Sequence, residues 1–241
     1  MRDDPATGSE SPRANQDGRF GPILAVDAAT DACSVALAVD GEVVHRHEIA
    51  PRMHASRLLD LITEVLEARG VGPADLRAVA WCHGPGSFTG VRIAAGVVQG
   101  IAWGAGLPVI GVSTLATLAQ GCHRRLGAER VSTALDARMG EVYWGCYIHD
   151  ADTGLMQPAM EDRVCSPEDV PLASPGVASG TGWQAYQGVL EERVGLPLEM
   201  DQVALPEARD LIPHALVRLA TGEVGTARGA VPVYLRDRVT G

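Results

Sequence analysis

The chain has 241 residues, 46% of them hydrophobic, and a formal net charge of -10. That apolar content is ample for a buried core and excludes global disorder, while the negative balance excludes a chain that grips nucleic acid by itself, because phosphate binding rests on clustered cations. All twenty cationic residues are Arg and Lys is absent, which removes Walker-type phosphate lysines, Schiff-base chemistry and pyridoxal-phosphate attachment.

The polar stretch from Met1 to Asn15 has no apolar core and predicts a disordered lead-in, not a secretory signal. Ile23 to Val26 is a short apolar run ending on Asp27, and Cys33 to Val39 follows as a second strand in a hairpin. Asp40-Gly41 is the turn into a third strand, Glu42 to Ile49. From His54 to Arg69 the residues Leu58, Leu61, Ile62, Val65 and Leu66 recur at helical spacing, Leu59 widens the stripe, and Gly70 stops the helix. Ala78 to Cys82 reads as a buried strand that enters the loop Gly84-Pro85-Gly86-Ser87 and a helix to about Gly104. A strand over Val109 to Val112 and a helix over Ser113 to Gln120 complete a βββαβαβα order, which predicts a mixed sheet with helices against it.

The pattern then restarts. Val131 to Leu135 ends on Asp136 and leads through Ala137-Arg138-Met139-Gly140 to a strand over Glu141 to Ile148, so Ala25-Val26-Asp27-Ala28 is echoed by Ala134-Leu135-Asp136-Ala137, as an internally duplicated, two-lobed chain requires. Beyond Asp150 the signal thins to a segment over Val177 to Gly182, a helix near Asp210 to Thr221 and a closing apolar segment over Val231 to Leu235. The run from Val91 to Ile110 carries Arg92, Gln99 and several glycines, so no membrane span is expected and a cytoplasmic location follows.

Asp27 at a strand end, with Thr30 in the turn beyond, resembles the first phosphate loop of the architecture shared by actin, chaperone ATPases and sugar kinases; the plainer reading is an Asp that caps a turn. Ala29 stands where such loops carry glycine. Gly84-x-Gly86-x-x-x-Gly90 is one residue too long for the dinucleotide fingerprint, which leaves either an anion-binding loop or a tight strand-to-helix turn. Gly96, Gly100 and Gly104 lie along one helix face beside Val97, Ile101 and Trp103, which requires a close neighbour; the residues alone favour the chain's own core over another chain. His45-x-His47 lacks a third ligand, no H-x-x-x-H occurs, the serines Ser34, Ser56 and Ser87 lack a nucleophile-elbow context, and the five scattered cysteines form no C-x-x-C. Neither a metal, a cofactor nor a catalytic residue is expected.

Six segments in order, Ile23–Leu37, Gly84–Ile93, Gly111–Leu115, Leu135–Tyr143, Gly180–Trp183 and Pro232–Arg236, resemble the TsaB family, subunits of tRNA threonylcarbamoyladenosine biosynthesis formerly grouped with glycoprotease-like proteins. The resemblance implies a two-lobed α/β fold of the actin-like ATPase (ribonuclease H-like) superfamily, each lobe a mixed sheet with flanking helices. It divides the chain into a disordered extension 1–21, a first lobe 22–113 and a second lobe 114–241, leaving open a return of the C-terminal segment to the first lobe. It also implies a non-catalytic subunit that binds and activates TsaD, with TsaE, for threonylcarbamoyl transfer to adenosine in tRNAs reading codons that begin with A, touching tRNA only indirectly. The TsaD metal-binding imidazoles are absent from the corresponding stretch, Ser113 to Leu118. The partner surface implied is the pair of first-lobe helices, through Leu58, Leu59, Ile62, Val65, Leu66, Arg92, Gly96, Val97, Gly100, Trp103 and Gly104, and the same surface offers a homodimer where TsaD is missing. Asp27, Thr30, Gly84, Gly86, Ser87 and Asp136 become the remnants of a nucleotide loop. The competing reading is an independent ATPase using Asp27 and Asp136, or a peptidase.

Overall fold

The computed structural model describes residues 21–236 apart from 173, 175, 196, 198, 203 and 204, so the expected disorder of the N-terminal extension falls, up to residue 20, outside the described residues. Strands β1 (Ile23–Asp27), β2 (Ala32–Val39) and β3 (Glu42–Ile49) form an antiparallel meander. Helix α1 (His54–Glu67) leads to β4 (Ala78–Gly84), which lies parallel to β1; helix α2 (Phe88–Ala105) leads in turn to β5 (Val109–Ser113), parallel to β4. The first sheet therefore runs β3-β2-β1-β4-β5.

Period-two alternation explains how this sheet is covered. Leu24 and Val26 of β1 join Val35 and Leu37 of β2 beneath α1 and α2, which contribute Leu58, Leu61, Val65, Ala94 and Val98. The alternate residues Ile23, Ala25, Ala36, Ala78 and Ala80 face the other way. Their small side chains let helix α3 (Thr114–Leu126) and helix α5 (Ile212–Thr221) approach closely, through Leu115, Leu118, Ile212 and Ala215.

The second sheet repeats the plan. Strands β6 (Arg130–Arg138), β7 (Glu141–Asp150) and β8 (Leu155–Pro158) form a second antiparallel meander, with β9 (Arg163–Cys165) also paired to β7. Parallel to β6 lies β10 (Val177–Ser179), followed by helix α4 (Thr181–Val194) and β11 (Glu199–Met200). The order β11-β10-β6-β7-β8 is that of the first sheet, strand for strand and direction for direction. Trp144 and Trp183 fill the outer face, where the Trp183 indole donates to the Ser132 carbonyl at 2.9 Å.

Helix α3 lies between the sheets. Nine consecutive residues, Thr114 to Cys122, are buried, and its inner core is continuous with Val131, Leu135 and Tyr147 of the second sheet. Its last turn carries Arg124, whose Nε donates to Asp210 at 2.6 Å, and Arg125, which reaches Asp201 at 2.6 Å and Glu207 at 3.2 Å. Arg124 also reaches Glu207 at 2.9 Å. Cations here suit the negative end of the helix, and the buried carboxylates find their counter-charges.

Three boundaries differ from the expectation. Helix α3 continues to Leu126, because the charged Arg124 and Arg125 belong to its last turn and Gly127 closes it in the left-handed region. The stretch Val177 to Gly182 is a strand only to Ser179, since Gly180 opens α4. A 3-10 turn over Ala208–Leu211 precedes α5. Val231 to Leu235 is not a strand, although the Val233 N–H donates to the His83 carbonyl at 2.7 Å beside the end of β4. Among the described residues no helix is long and apolar enough to cross a membrane.

Candidate functional site

Two regions collect the residues singled out from the sequence: the loops at the C-terminal ends of β1 and β4, and the outer face of α2. At the first, Asp27 is fully buried and its Oδ1 accepts from the Ala29 N–H at 3.0 Å. The neighbouring Cys82 thiol donates to Thr117 Oγ1 at 3.4 Å, and Oδ2 of Asp27 is left without a conventional hydrogen-bond partner. Burial pushes the Asp27 carboxyl up to about 6, against the Ala29 N–H, which favours the ionised form. Thr30 is half-buried and its hydroxyl accepts from the Ala32 N–H at 3.3 Å.

The glycine loop lies directly on this turn. The Ser87 N–H donates to the Ala29 carbonyl at 2.7 Å, and the Ser87 hydroxyl caps α2 by accepting from the Gly90 N–H at 3.3 Å. A Cβ at Gly86 would collide with the Ala29 carbonyl oxygen, and one at Gly90 with that of Ala28. The glycines therefore admit the chain's own backbone, and the Ser87 and Gly90 amides are spent within the turn. Gly84, with φ of 113°, leaves no room for a side chain against the Val233 carbonyl.

Asp136 lies near the end of β6, opposite Val142 and beside an irregularity in the pairing with β7, so the strand runs two residues beyond the expected end. It accepts from the Arg138 N–H at 2.8 Å and from the Arg138 guanidinium at 3.0 Å, while its own N–H donates to Thr181 Oγ1 at 3.2 Å. Gly180 and Gly182 press against Ala134 there as Gly86 and Gly90 press against Ala29 and Ala28. The hydrogen bonds of Asp27 and of Asp136 stay within their own halves of the repeat. Ser113 and Thr117 are likewise spoken for: Ser113 donates to Asp162 at 2.5 Å and Thr117 to the Ser113 carbonyl at 3.0 Å, with Thr114 and Leu118 wholly buried.

Other reactive groups are muted by burial, which pushes the thiols of Cys33 and Cys122 up to about 12 and of Cys146 up to about 11, and the imidazoles of His83 and His214 down to about 4. None offers a thiolate or a titrating base at neutral pH.

The outer face of α2 is built differently. Gly96, Gly100 and Gly104 are exposed, and a Cβ at any of them would meet nothing within 4 Å. Trp103, 76% exposed, and Arg92 share that surface, with Val97 half-buried beside them. The close neighbour that three helix glycines demand is not the chain's own core. Helix α1 contributes less than its stripe suggested: Leu58, Ile62, Val65 and Leu66 are buried against β2 and α2, and of the α1 residues singled out only Leu59 is exposed. An amphipathic stripe marks a buried face, and here the burial is internal.

Two contributors escaped sequence reading. Phe88, 60% exposed, sits one helical turn before Arg92, whose guanidinium carbon lies 3.2 Å above its ring centre and 4.8 Å from that of Tyr234. Tyr234 arrives from the C-terminal segment, which is held to α2 by the Gln99 side chain donating to the Ala230 carbonyl at 2.8 Å. The i, i+4 spacing of Phe88 and Arg92 was visible in the sequence; the approach of Tyr234 was not.

The family described as TsaD, tRNA N6-adenosine threonylcarbamoyltransferase, matches residues 43–237. Over 222 residues the chain is 47% identical to the tRNA threonylcarbamoyladenosine biosynthesis protein TsaB of Escherichia coli, covering 90% of this chain and 95% of that one. With the Haemophilus influenzae protein of the same name it shares 40% identity over 227 residues, covering 90% and 94%. Among solved structures, YeaZ from Pseudomonas aeruginosa is similar with a TM-score of 0.83 and 45% identity, covering 90% of this chain and all of that one.

Two outcomes test this description of the loops. In the native state Asp27 holds its proton to about pH 6, against an ordinary value of 3.8, so stability is lost as pH rises between those values and stays lost above them. Replacing it by Asn, which keeps the acceptor for Ala29, should leave stability unchanged below pH 4 and raise it by about 3 kcal/mol above pH 6, as read by urea unfolding across pH; a pH-independent difference would refute the buried carboxyl. Gly90→Ala, by forcing Ala28 away, should lower stability by about 1–3 kcal/mol.

Proposed function

Because the chain belongs to the TsaB family of tRNA threonylcarbamoyladenosine biosynthesis proteins, we propose that it acts in that pathway as a non-catalytic subunit, binding and activating TsaD, with TsaE, for threonylcarbamoyl transfer to adenosine in tRNAs that read codons beginning with A. The observation that carries the reading is the open glycine face of α2, where three glycines in one helix stripe have no neighbour in this chain. Helix glycines cost about 1 kcal/mol each relative to alanine, so a stripe of them left bare is best explained by a helix of another chain that packs backbone to backbone. Trp103, Phe88 and Arg92 flank the stripe with the residue types that anchor interfaces.

The non-catalytic half of the reading rests on the loops. Ala28 and Ala29 carbonyls fill the space a phosphate would need over Gly86 and Gly90, Asp27 is sealed from solvent, and Ser113 to Leu118 supply a helix cap and core instead of imidazole ligands. In this reading residues 22–113 form the partner-binding lobe and 114–241 the second, with the segment from 208 onwards lending contacts to the first. The net charge of -10 leaves tRNA to the partner.

Gly100→Leu separates interface from fold. Nothing lies within 4 Å of a Cβ added at this exposed position, and leucine is the better helix former, so the variant should unfold no more easily than the parent. It should nonetheless fail to co-elute with TsaD, and retained co-elution would overturn the docking assignment. In a reconstituted reaction with TsaD, TsaE and tRNA, leaving this chain out should abolish modification; an unchanged rate would sink the activating role. ATP hydrolysis by the isolated chain, lost in Asp27→Ala, would favour an independent enzyme instead.

A further inference from the structure

Three side chains from separate elements converge on the far side of α3. His123 stands in the last turn of that helix, Glu129 in the loop before β6, and His149 in β7, and their ligand-capable atoms all lie within 4.8 Å of one another. The two imidazoles stack with ring centres 3.9 Å apart and planes 16° from parallel.

The protonation pattern is set by partners. Nδ1 of His123 is 3.0 Å from the Ala128 carbonyl oxygen, and because a carbonyl only accepts, that nitrogen carries the hydrogen and Nε2 keeps its lone pair. Nδ1 of His149 is buried, has no hydrogen-bond partner, and lies 3.4 Å from a Glu129 carboxylate oxygen, too far for a good hydrogen bond. A buried ring nitrogen left without a partner is a cost to the fold, and a cation removes it. The backbone holds the three in register: the His149 N–H donates to the Glu129 carbonyl at 2.9 Å, and the Gly127 N–H to the His123 carbonyl at 2.8 Å.

We propose that His123, Glu129 and His149 bind one divalent transition-metal ion of the zinc class, with a water in the fourth position, as a clip that fastens the C-terminal turn of α3 to the second sheet. Two imidazole nitrogens and one carboxylate oxygen are a donor set that zinc accepts, and the Ala128 carbonyl supplies the outer hydrogen bond that fixes a ligating imidazole. Zinc bond lengths of about 2.0–2.2 Å place tetrahedral ligand atoms roughly 3.3–3.6 Å apart. Because imidazole lone pairs lie in the ring planes, binding one ion requires the two rings to turn out of their near-parallel stack. Glu129, with its side chain 72% exposed, turns inward to close the set. The two imidazoles are 26 residues apart in the sequence, so spacing along the chain predicts no site; the pairing of the α3 terminus with β7 creates it.

The test is titration of the full, chelator-treated chain with Zn²⁺ by calorimetry, and with Co²⁺ by visible absorption. One equivalent of Zn²⁺ should bind, and Co²⁺ should give tetrahedral d–d bands that Zn²⁺ displaces. Glu129→Gln, a surface change that does not threaten folding, and His149→Gln should each weaken binding tenfold or more. A His45→Gln/His47→Gln variant and Cys165→Ser should bind as the parent does. Failure of the parent to bind Zn²⁺ more tightly than His123→Gln/His149→Gln, or undiminished binding by Glu129→Gln, would overturn the proposal.

Discussion

Helix α3 is buried on every side, and that single constraint organises the molecule. A helix between two sheets must be apolar all round, so Thr114 to Cys122 carry no solvated face, and its charge is confined to the last turn. There Arg124 and Arg125 meet Asp201, Glu207 and Asp210, carboxylates that would be costly to bury unpaired. The same helix gives its inner face to the alanines of the first sheet and its outer face to Val131, Leu135 and Tyr147 of the second. One hydrophobic core thereby joins two copies of the same strand order.

The duplication clarifies what happened to the loops. In both halves an Asp lies at or near the end of the first strand, and in both a later glycine pair lets a helix start crowd the backbone beside it: Gly86 and Gly90 against Ala29 and Ala28 in a turn, Gly180 and Gly182 against Ala134 within β6. A phosphate-binding loop needs free amides and room above the glycines. Here the amide of Ser87 is committed to Ala29 and that of Gly90 to the Ser87 side chain. The glycines serve packing, and the space above them holds the chain's own backbone.

Much of the first half was legible in the sequence because each element there carries a period and a punctuation mark. The meander has alternating residues and an Asp40-Gly41 turn, and α1 has a clear stripe, so their limits were read to within a residue or two. Helix α3 was read six residues short because a helix without a polar face offers no amphipathic period. Helix α4 escaped because its course is interrupted at Tyr186, whose φ of -128° is not helical, so no continuous stripe develops. The glycine stripe of α2 pointed to a close neighbour without saying which, and the open space above it is what removes the chain's own core from consideration. The α1 stripe said equally little about its partner, and Leu58, Ile62, Val65 and Leu66 lie inward. Contacts that join distant segments, such as Tyr234 with Phe88 and His123 with His149, leave no local mark.

The segment that crosses α2 near residue 230 ties distant parts of the sequence together. Gln99 and Ala230 are 131 positions apart, and Tyr234 lies further along still, so the aromatic and cationic cluster at the start of α2 forms only once that distant segment is in place. The helix itself is available early, but the patch that combines Phe88, Arg92 and Tyr234 is a late, high-contact-order feature. Loss of the segment from Ala230 to Tyr234 would take the tyrosine ring from beside the Arg92 guanidinium and the carbonyl from Gln99, and leave Phe88 in place.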